Sequence, residues 1–175
     1  MPSVARPRVV VSLALLALAS AAPTRPIAAQ PGAPPAATGA AGRAADREAV
    51  RRAALDYVEG FYEGDSTRLL RSVAPTVQKS GWYRAHPDSA FHPSAMAFPE
   101  GFMGYARRVR EGRLRTPAGA PKVVELFDVQ DQTASAKVTA WWGIDYLLLA
   151  RHDGRWMITH VLWQSPPPAP TAARR

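Results

Sequence analysis

The alternation of apolar and charged residues first predicts an amphipathic helix near residue 46. The apolar residues that recur at helical spacing are Val50, Ala54, Tyr57, Val58 and Phe61. Asp46 suits the N-cap of this helix, and Gly64 suits its C-terminal stop. Asp65 then suits the cap of a short second helix that ends before Pro75.

Further along the chain, the pattern changes from helical to strand-like. A first strand is predicted over residues 76–84, and an apolar stripe after Pro99 predicts a third helix that ends at Gly112. Two strands follow over residues 122–129 and 133–142. This order of elements, in which the helices come early and the long strands come last, indicates an α+β domain.

The last segment, residues 144–163, is predicted to be a β-hairpin that turns at Asp153-Gly154. If His152 faces Arg155, then Leu147 faces His160. One face would then carry Asp145, Leu147, Leu149, Ile158, His160 and Leu162. The other face would carry Tyr146, Leu148, Met157, Thr159, Val161 and Trp163. Both faces are mostly apolar, so the face turned away from the helices is expected to form a homodimer interface.

Charge and composition limit the classes of function. The chain has 175 residues and a net charge of +8, but residues 45–165 hold sixteen of the 22 basic residues and all 14 acids, leaving about +2. We therefore predict no nucleic-acid partner. The absence of cysteine excludes disulfides and thiolate chemistry.

Both ends of the chain are expected to lie outside the folded domain. Residues 1–30 have the pattern of an export signal, with Arg6 and Arg8 before an apolar run over 9–19 and small residues at 19–21. This run is too short for a membrane span, which needs about 20 apolar residues. Residues 31–44 and 166–175, rich in proline, glycine and alanine, are expected to be disordered. The export signal predicts a location in the periplasm or outside the cell.

Several short segments of the sequence resemble those of one known family. They are DYVEGFYEGD at 56–65, the hairpin from 127 to 138, DYLLL at 145–149, and the stretch from 153 to 163. Together with the element order, these words are similar to the putative lumazine-binding family of the nuclear transport factor 2-like superfamily, related to SnoaL-like proteins. The resemblance covers residues 46–164.

The resemblance implies a cone-shaped fold in which a curved mixed or antiparallel sheet wraps around the N-terminal helix, with two further helices. A small aromatic or heteroaromatic molecule would occupy the cavity between the concave sheet face and the helices. The residues expected to bind it are Tyr57, Phe61, Trp82, Phe102, Leu147, Ile158 and His160.

The candidate chemistry rests on two residues of the hairpin. In the predicted register, Asp145 lies diagonally from His160, so a carboxylate could orient an imidazole for proton transfer. The simpler interpretation is a core histidine bonded to nearby backbone. His86 and His92 lie in a proline-rich loop without a third ligand, so no metal site and no cofactor are predicted.

Three hypotheses about function follow. The favoured one is an exported, non-catalytic small-molecule-binding domain. The second is an enzyme of the ketosteroid-isomerase or SnoaL type in which Asp145 and His160 move protons. The third is a structural or interaction module without a ligand.

Overall fold

The structure, a computed structural model, describes residues 36–86 and 88–166, which belong to one unit of the chain spanning residues 34–175. The predicted export signal, the first residues of the predicted linker and the tail beyond residue 166 lie outside the described residues.

Helix α1 runs over Ala36–Glu63 and buries the predicted apolar stripe completely or almost so. It ends at Gly64, whose φ of 70° is the left-handed conformation that suits a helix C-terminus. The expected start near Asp46 is wrong, since the helix begins at Ala36 and includes residues 36–44 of the predicted disordered linker. The reason is that alanine has the highest helix propensity of all residues, and this propensity favours a helix even where the side chains do not pack against an apolar surface.

The two shorter helices confirm the prediction. Helix α2 spans Ser66–Ser72, and the Asp65 side chain caps it by accepting hydrogen bonds from the backbone N–H groups of Thr67 and Arg68. Helix α3 spans Glu100–Arg110, directly after Pro99, and buries Phe102 and Ala106. Helices α2 and α3 both pack against α1.

Six strands form one mixed sheet. They are β1 (Val73–Tyr83), β2 (His92–Met96), β3 (Val123–Val129), β4 (Thr133–Ala140), β5 (Gly143–His152) and β6 (Arg155–Gln164). Their order across the sheet is β2-β1-β6-β5-β4-β3, in which β1 and β6 are parallel and all other neighbours are antiparallel. The predicted α+β fold with a mixed sheet and three helices is confirmed.

Strand β2 was not predicted, because His92 and Pro93 suggested a loop. The strand lies at the edge of the sheet, where proline is tolerated since one side of the strand needs no ladder hydrogen bonds. It pairs Lys79 with Met96 and Tyr83 with His92.

The core lies between the helices and the face of the sheet that packs on them, here named the inner face. Its largest fully buried side chains include those of Tyr57, Leu69, Phe102, Val138, Leu147, Leu149, Ile158 and Val161. The opposite, outer face of β5 and β6 carries Tyr146, Leu148, His160 and Leu162, all of which are exposed.

The closing hairpin turns as predicted but changes register after four pairs. Asp153 and Gly154 have φ values of 48° and 77°, as a tight turn of this type requires. Leu149 pairs with Ile158 as expected, but a β-bulge then shifts the register, so that Leu148 faces His160 and Leu147 faces Val161. Because one extra residue reverses every later side chain, the predicted faces of β6 beyond Thr159 are wrong.

Within the described ranges, no helix combines the length and the apolar character that crossing a lipid bilayer requires.

Candidate functional site

A small cavity opens between the inner face of the sheet and the helices. Its volume is about 120 Å³. The residues that line it are Phe61, Lys79, Met96, Tyr105, Trp141, Trp142 and Trp163. Five of the seven are aromatic, so the wall offers ring faces and edges on several sides.

Lys79 is the cation of this cavity, and strand alternation places it there. Val77, Lys79 and Gly81 face inward along β1, while Gln78 and Ser80 are exposed. Gly81 leaves room for the neighbouring strand, because a Cβ at this position would lie 2.0 Å from the carbonyl oxygen of Trp163. The position next to Lys79 on the inner face must therefore lack a side chain.

The Lys79 ammonium is surrounded by aromatic rings. Its Nζ lies 5.3 Å from the ring centre of Tyr57, 5.9 Å from those of Phe61 and Trp142, and 5.5 Å from that of Trp163. Three of these four rings line the cavity, so Nζ lies at the cavity wall. Contacts of this kind with ring faces stabilise a cation within about 6 Å.

Asp145 is the anionic partner and is fully buried. Its Oδ2 accepts hydrogen bonds from the Tyr57 hydroxyl at 2.6 Å and from Lys79 Nζ at 3.0 Å. Its Oδ1 accepts a third from Trp142 Nε1 at 3.0 Å. Lys79 Nζ also donates to the Tyr57 hydroxyl oxygen at 2.6 Å. The carboxylate thus joins helix α1, strand β1 and strand β5 in one polar network.

Burial shifts the pKa values of Lys79 and Tyr57 in this network. Desolvation lowers the pKa of the Lys79 ammonium from its ordinary value, although the Asp145 carboxylate acts in the opposite direction. Burial and the same carboxylate raise the pKa of the Tyr57 hydroxyl well above its ordinary value. Tyr57 is therefore a neutral hydrogen-bond donor, and Lys79 loses its proton more readily than a lysine in water.

Three donors around the cavity lack an acceptor. The indole N–H groups of Trp141 and Trp163 are buried and have no hydrogen-bond partner among the described residues. Lys79 has three N–H donors when charged, and within the described part of the chain its acceptors are Tyr57 and Asp145. Buried donors without partners cost about 1–3 kcal/mol each, and a ligand acceptor that reached Lys79 Nζ would remove one of these costs.

The structure brings only some of the predicted site residues to the cavity. Phe61 lines it, and Tyr57 and Asp145 form the polar network beside it. Phe102, Leu147 and Ile158 are buried in the core and do not line the cavity.

Two predicted site residues lie elsewhere. Trp82 is 48% exposed, beside Leu162 in a shallow groove of the outer face, because Gly81 takes the inward position. His160 is exposed on the outer face, where its Nδ1 lies 3.1 Å from the hydroxyl of Thr159. The bulge at Thr159 turns His160 away from Asp145, so the proposed Asp145–His160 pair is wrong.

The most important residue that sequence reasoning missed is Lys79. The predicted strand over 76–84 contained the signal, since an inward Val77 implies an inward Lys79. Met96 lies on β2, where the sequence predicts a loop, and the predicted face of Trp163 is wrong because of the bulge at Thr159. For metals, no three His, Asp or Glu side chains within residues 36–86 and 88–166 come close enough to hold an ion.

Solved structures define the class of fold. The chain is similar to an NTF2-like protein of unknown function from Shewanella baltica OS155, with 17% identity and a TM-score of 0.53 over 71% of this chain and 96% of that one. It is also similar to an NTF2-like protein from Silicibacter pomeroyi DSS-3, with 17% identity and a TM-score of 0.49 over 72% and 98%. A cystatin-like domain from Nostoc punctiforme has 12% identity and a TM-score of 0.49 over 69% and 77%. The first of these matches, with a TM-score above 0.5, shows that the domain has the NTF2-like fold.

The family follows from the sequence itself. Residues 45–164 match the family described as "Putative lumazine-binding", and the chain belongs to this family. No curated protein matches the chain. The resemblance drawn from the sequence words is therefore confirmed.

Proposed function

We propose that this domain binds a small, flat aromatic or heteroaromatic molecule in the cavity, with a hydrogen-bond acceptor of the ligand directed to Lys79. The observation that carries the proposal is the combination of an aromatic wall with a buried ammonium group that has donor capacity to spare. Rings of a ligand would pack against Phe61, Trp142 and Trp163, and the acceptor would complete the hydrogen bonds of Nζ.

The size of the cavity limits the ligand. A volume of about 120 Å³ is close to that of an apolar cavity of about 150 Å³ that holds benzene. One ring therefore fits inside, and the remainder of a bicyclic molecule such as a lumazine or pterin would extend into the mouth. The family's description supports a heteroaromatic ligand of this type.

Thermal unfolding with a panel of lumazines, pterins and flavins tests the proposal. A ligand present at 100 times its Kd stabilises the folded state by about 2.7 kcal/mol, and the melting temperature rises accordingly. Met96→Trp should fill the cavity and abolish the shift. Ala95→Trp is the matched control, since Ala95 is the neighbouring exposed residue of β2 and should leave the shift intact. A shift that survives Met96→Trp would place the ligand elsewhere.

The alternative of an enzyme that uses Asp145 and His160 is not supported, because His160 is exposed on the outer face and Asp145 is buried on the inner face. The alternative of a module without a ligand is disfavoured by the cavity and by the donors around it that lack acceptors.

We further propose that the domain forms a homodimer through the outer face. Exposed apolar side chains lie next to one another across the sheet, since Tyr146 pairs with Leu162 and the rings of Tyr146 and Phe127 lie 6.5 Å apart. Leu148, 54% exposed, extends the surface. A contiguous apolar patch supports a self-complementary contact about a two-fold axis.

Leu148→Glu tests the homodimer because it places a charge on this surface without touching the cavity. Size-exclusion chromatography with light scattering should show a dimer for the unmodified protein and a monomer for the variant. An unmodified protein that is monomeric at tens of micromolar contradicts the dimer.

The proposed location is the periplasm or the exterior of the cell, supported by the charge and apolar pattern of residues 1–30. Mass spectrometry of the mature protein should show a chain that begins after the small residues at 19–21. A protein that retains Met1 through Leu18 in the cytoplasmic fraction contradicts this location.

A further inference from the structure

We propose that Lys79 is a reactive amine that forms an imine with the carbonyl carbon of a small aromatic aldehyde or ketone held in the cavity. This inference rests on the proposed function, because the ligand occupies the same cavity, and it names the chemical class of that ligand. The product is a covalent, reversible adduct on Nζ.

The position of Nζ supports the proposal. Lys79 lines the cavity although its side chain is only 6% exposed, so a ligand in the cavity lies against this side chain while bulk water has little access to it. Two of the three tetrahedral positions around Nζ are directed to Tyr57 and Asp145. The third has no acceptor among the described residues, which leaves this position for the lone pair of the neutral amine and for attack on a carbonyl carbon.

Asp145 is placed to move the protons that the reaction requires, and Tyr57 positions the amine. Imine formation begins when the ammonium gives a proton to the Asp145 carboxylate, 3.0 Å away, and rotation about the Cε–Nζ bond then turns the lone pair to the third position. Desolvation, which lowers the pKa of Lys79, favours this neutral form. The Tyr57 hydroxyl oxygen, 2.6 Å from Nζ, accepts a hydrogen bond from the lysine while its own proton is donated to Asp145, so Tyr57 holds the amine in place.

The steps balance without an oxidant or a reductant. The lone pair of Nζ forms a C–N bond while the π pair of the carbonyl moves to its oxygen. A proton passes from nitrogen to that oxygen, which gives a carbinolamine. The hydroxyl next takes up the proton that Asp145 accepted in the first step, the C–O bond breaks so that water leaves, and the nitrogen lone pair forms the C=N bond. Asp145 is then again a carboxylate, beside the positively charged iminium.

The other lysines provide internal controls. The chain has three lysines, Lys79, Lys122 and Lys137. Lys122 is 41% exposed and bonded to Glu59, and Lys137 is 23% exposed and bonded to Glu125. Neither lines the cavity. Selective labelling of Lys79, the least exposed of the three, would therefore require recognition of the aldehyde by the cavity.

The experiment treats the full chain with benzaldehyde and sodium cyanoborohydride, which reduces the imine to a stable benzylamine. Peptide mapping by mass spectrometry then locates the adduct in the unmodified protein. We expect Lys79 to be labelled several-fold faster than Lys122, Lys137 and the α-amino group. Benzyl alcohol, which has the ring without the carbonyl, should slow the labelling of Lys79 and leave the other amines unchanged.

Variants sharpen the result. Lys79→Arg keeps a positive charge beside Asp145 but has no primary amine, and it should lose the selective adduct. Lys122→Arg and Lys137→Arg should retain it. Because the measurement on the unmodified protein locates the adduct directly, the outcome stands even if Lys79→Arg does not fold.

The imine and the proposed binding function can fail separately. Equal labelling of all amines, or no adduct on Lys79, overturns the imine. If lumazines or benzyl alcohol still raise the melting temperature in that case, then binding stands and only the covalent step is wrong. If they do not, both proposals are wrong.

Discussion

Replacing Asp145 with asparagine should cost much of the stability of this domain. The carboxylate accepts three hydrogen bonds, from Tyr57 at 2.6 Å and from Lys79 and Trp142 at 3.0 Å. Asparagine keeps one acceptor oxygen but turns the other position into a donor, so at least one of the three donors meets an N–H group. The substitution also leaves the Lys79 ammonium, 6% exposed, without its counter-charge. Breaking a buried ion pair in this way costs about 3–5 kcal/mol.

Urea unfolding, followed by tryptophan fluorescence and circular dichroism, measures this loss. Glu125→Gln is the matched control, since it removes the same charge from the exposed Glu125–Lys137 pair of the same sheet, where the N–O distance is 2.6 Å. Such an exposed pair contributes about 0–1 kcal/mol. The double variant Lys79→Met/Asp145→Asn should recover part of the loss, because no buried charge remains unpaired. If Asp145→Asn loses no more stability than Glu125→Gln, then the network does not hold the fold as argued here.

Three further predictions concern single residues. Burial raises the pKa of Tyr105 to about 12 from an ordinary value of 10.0, so the contribution of neutral Tyr105 to the free energy of unfolding is fully present below pH 10 and is lost as the pH rises toward 12. The free energy of unfolding should therefore fall less at alkaline pH in Tyr105→Phe than in the unmodified protein, and an equal fall contradicts the assignment. Gly81→Ala should cost about 1–3 kcal/mol in urea unfolding, because its Cβ would overlap Trp163, whereas the exposed Ser80→Ala should change stability little. Asp65→Ala removes the N-cap of α2 and should lower the free energy of unfolding by about 1 kcal/mol. A urea midpoint equal to that of the unmodified protein would show that the cap contributes nothing.

Local patterns in the sequence were enough to predict most of the elements. The stripe from Val50 to Phe61 requires a helix that buries one side, and the Asp153-Gly154 pair requires a tight turn, because both depend on residues close together in the chain. The same words carried the family resemblance, and with it the NTF2-like fold. Strand alternation also predicts an inward Lys79, because Val77 and Lys79 lie two positions apart on the same face of β1.

Tertiary structure alone decided which face each late residue of the hairpin occupies. No local rule marks Thr159 as the site of a bulge, yet this one extra residue turns Val161 and Trp163 inward and His160 and Leu162 outward. The packing of the whole inner face determines such a bulge, since each alternative register would bury a different set of side chains against the helices. For the same reason, the partners of Asp145 do not include His160, which is only fifteen positions away in the chain. They include Lys79 and Tyr57, which lie 66 and 88 residues away and meet the carboxylate only when sheet and helix pack together.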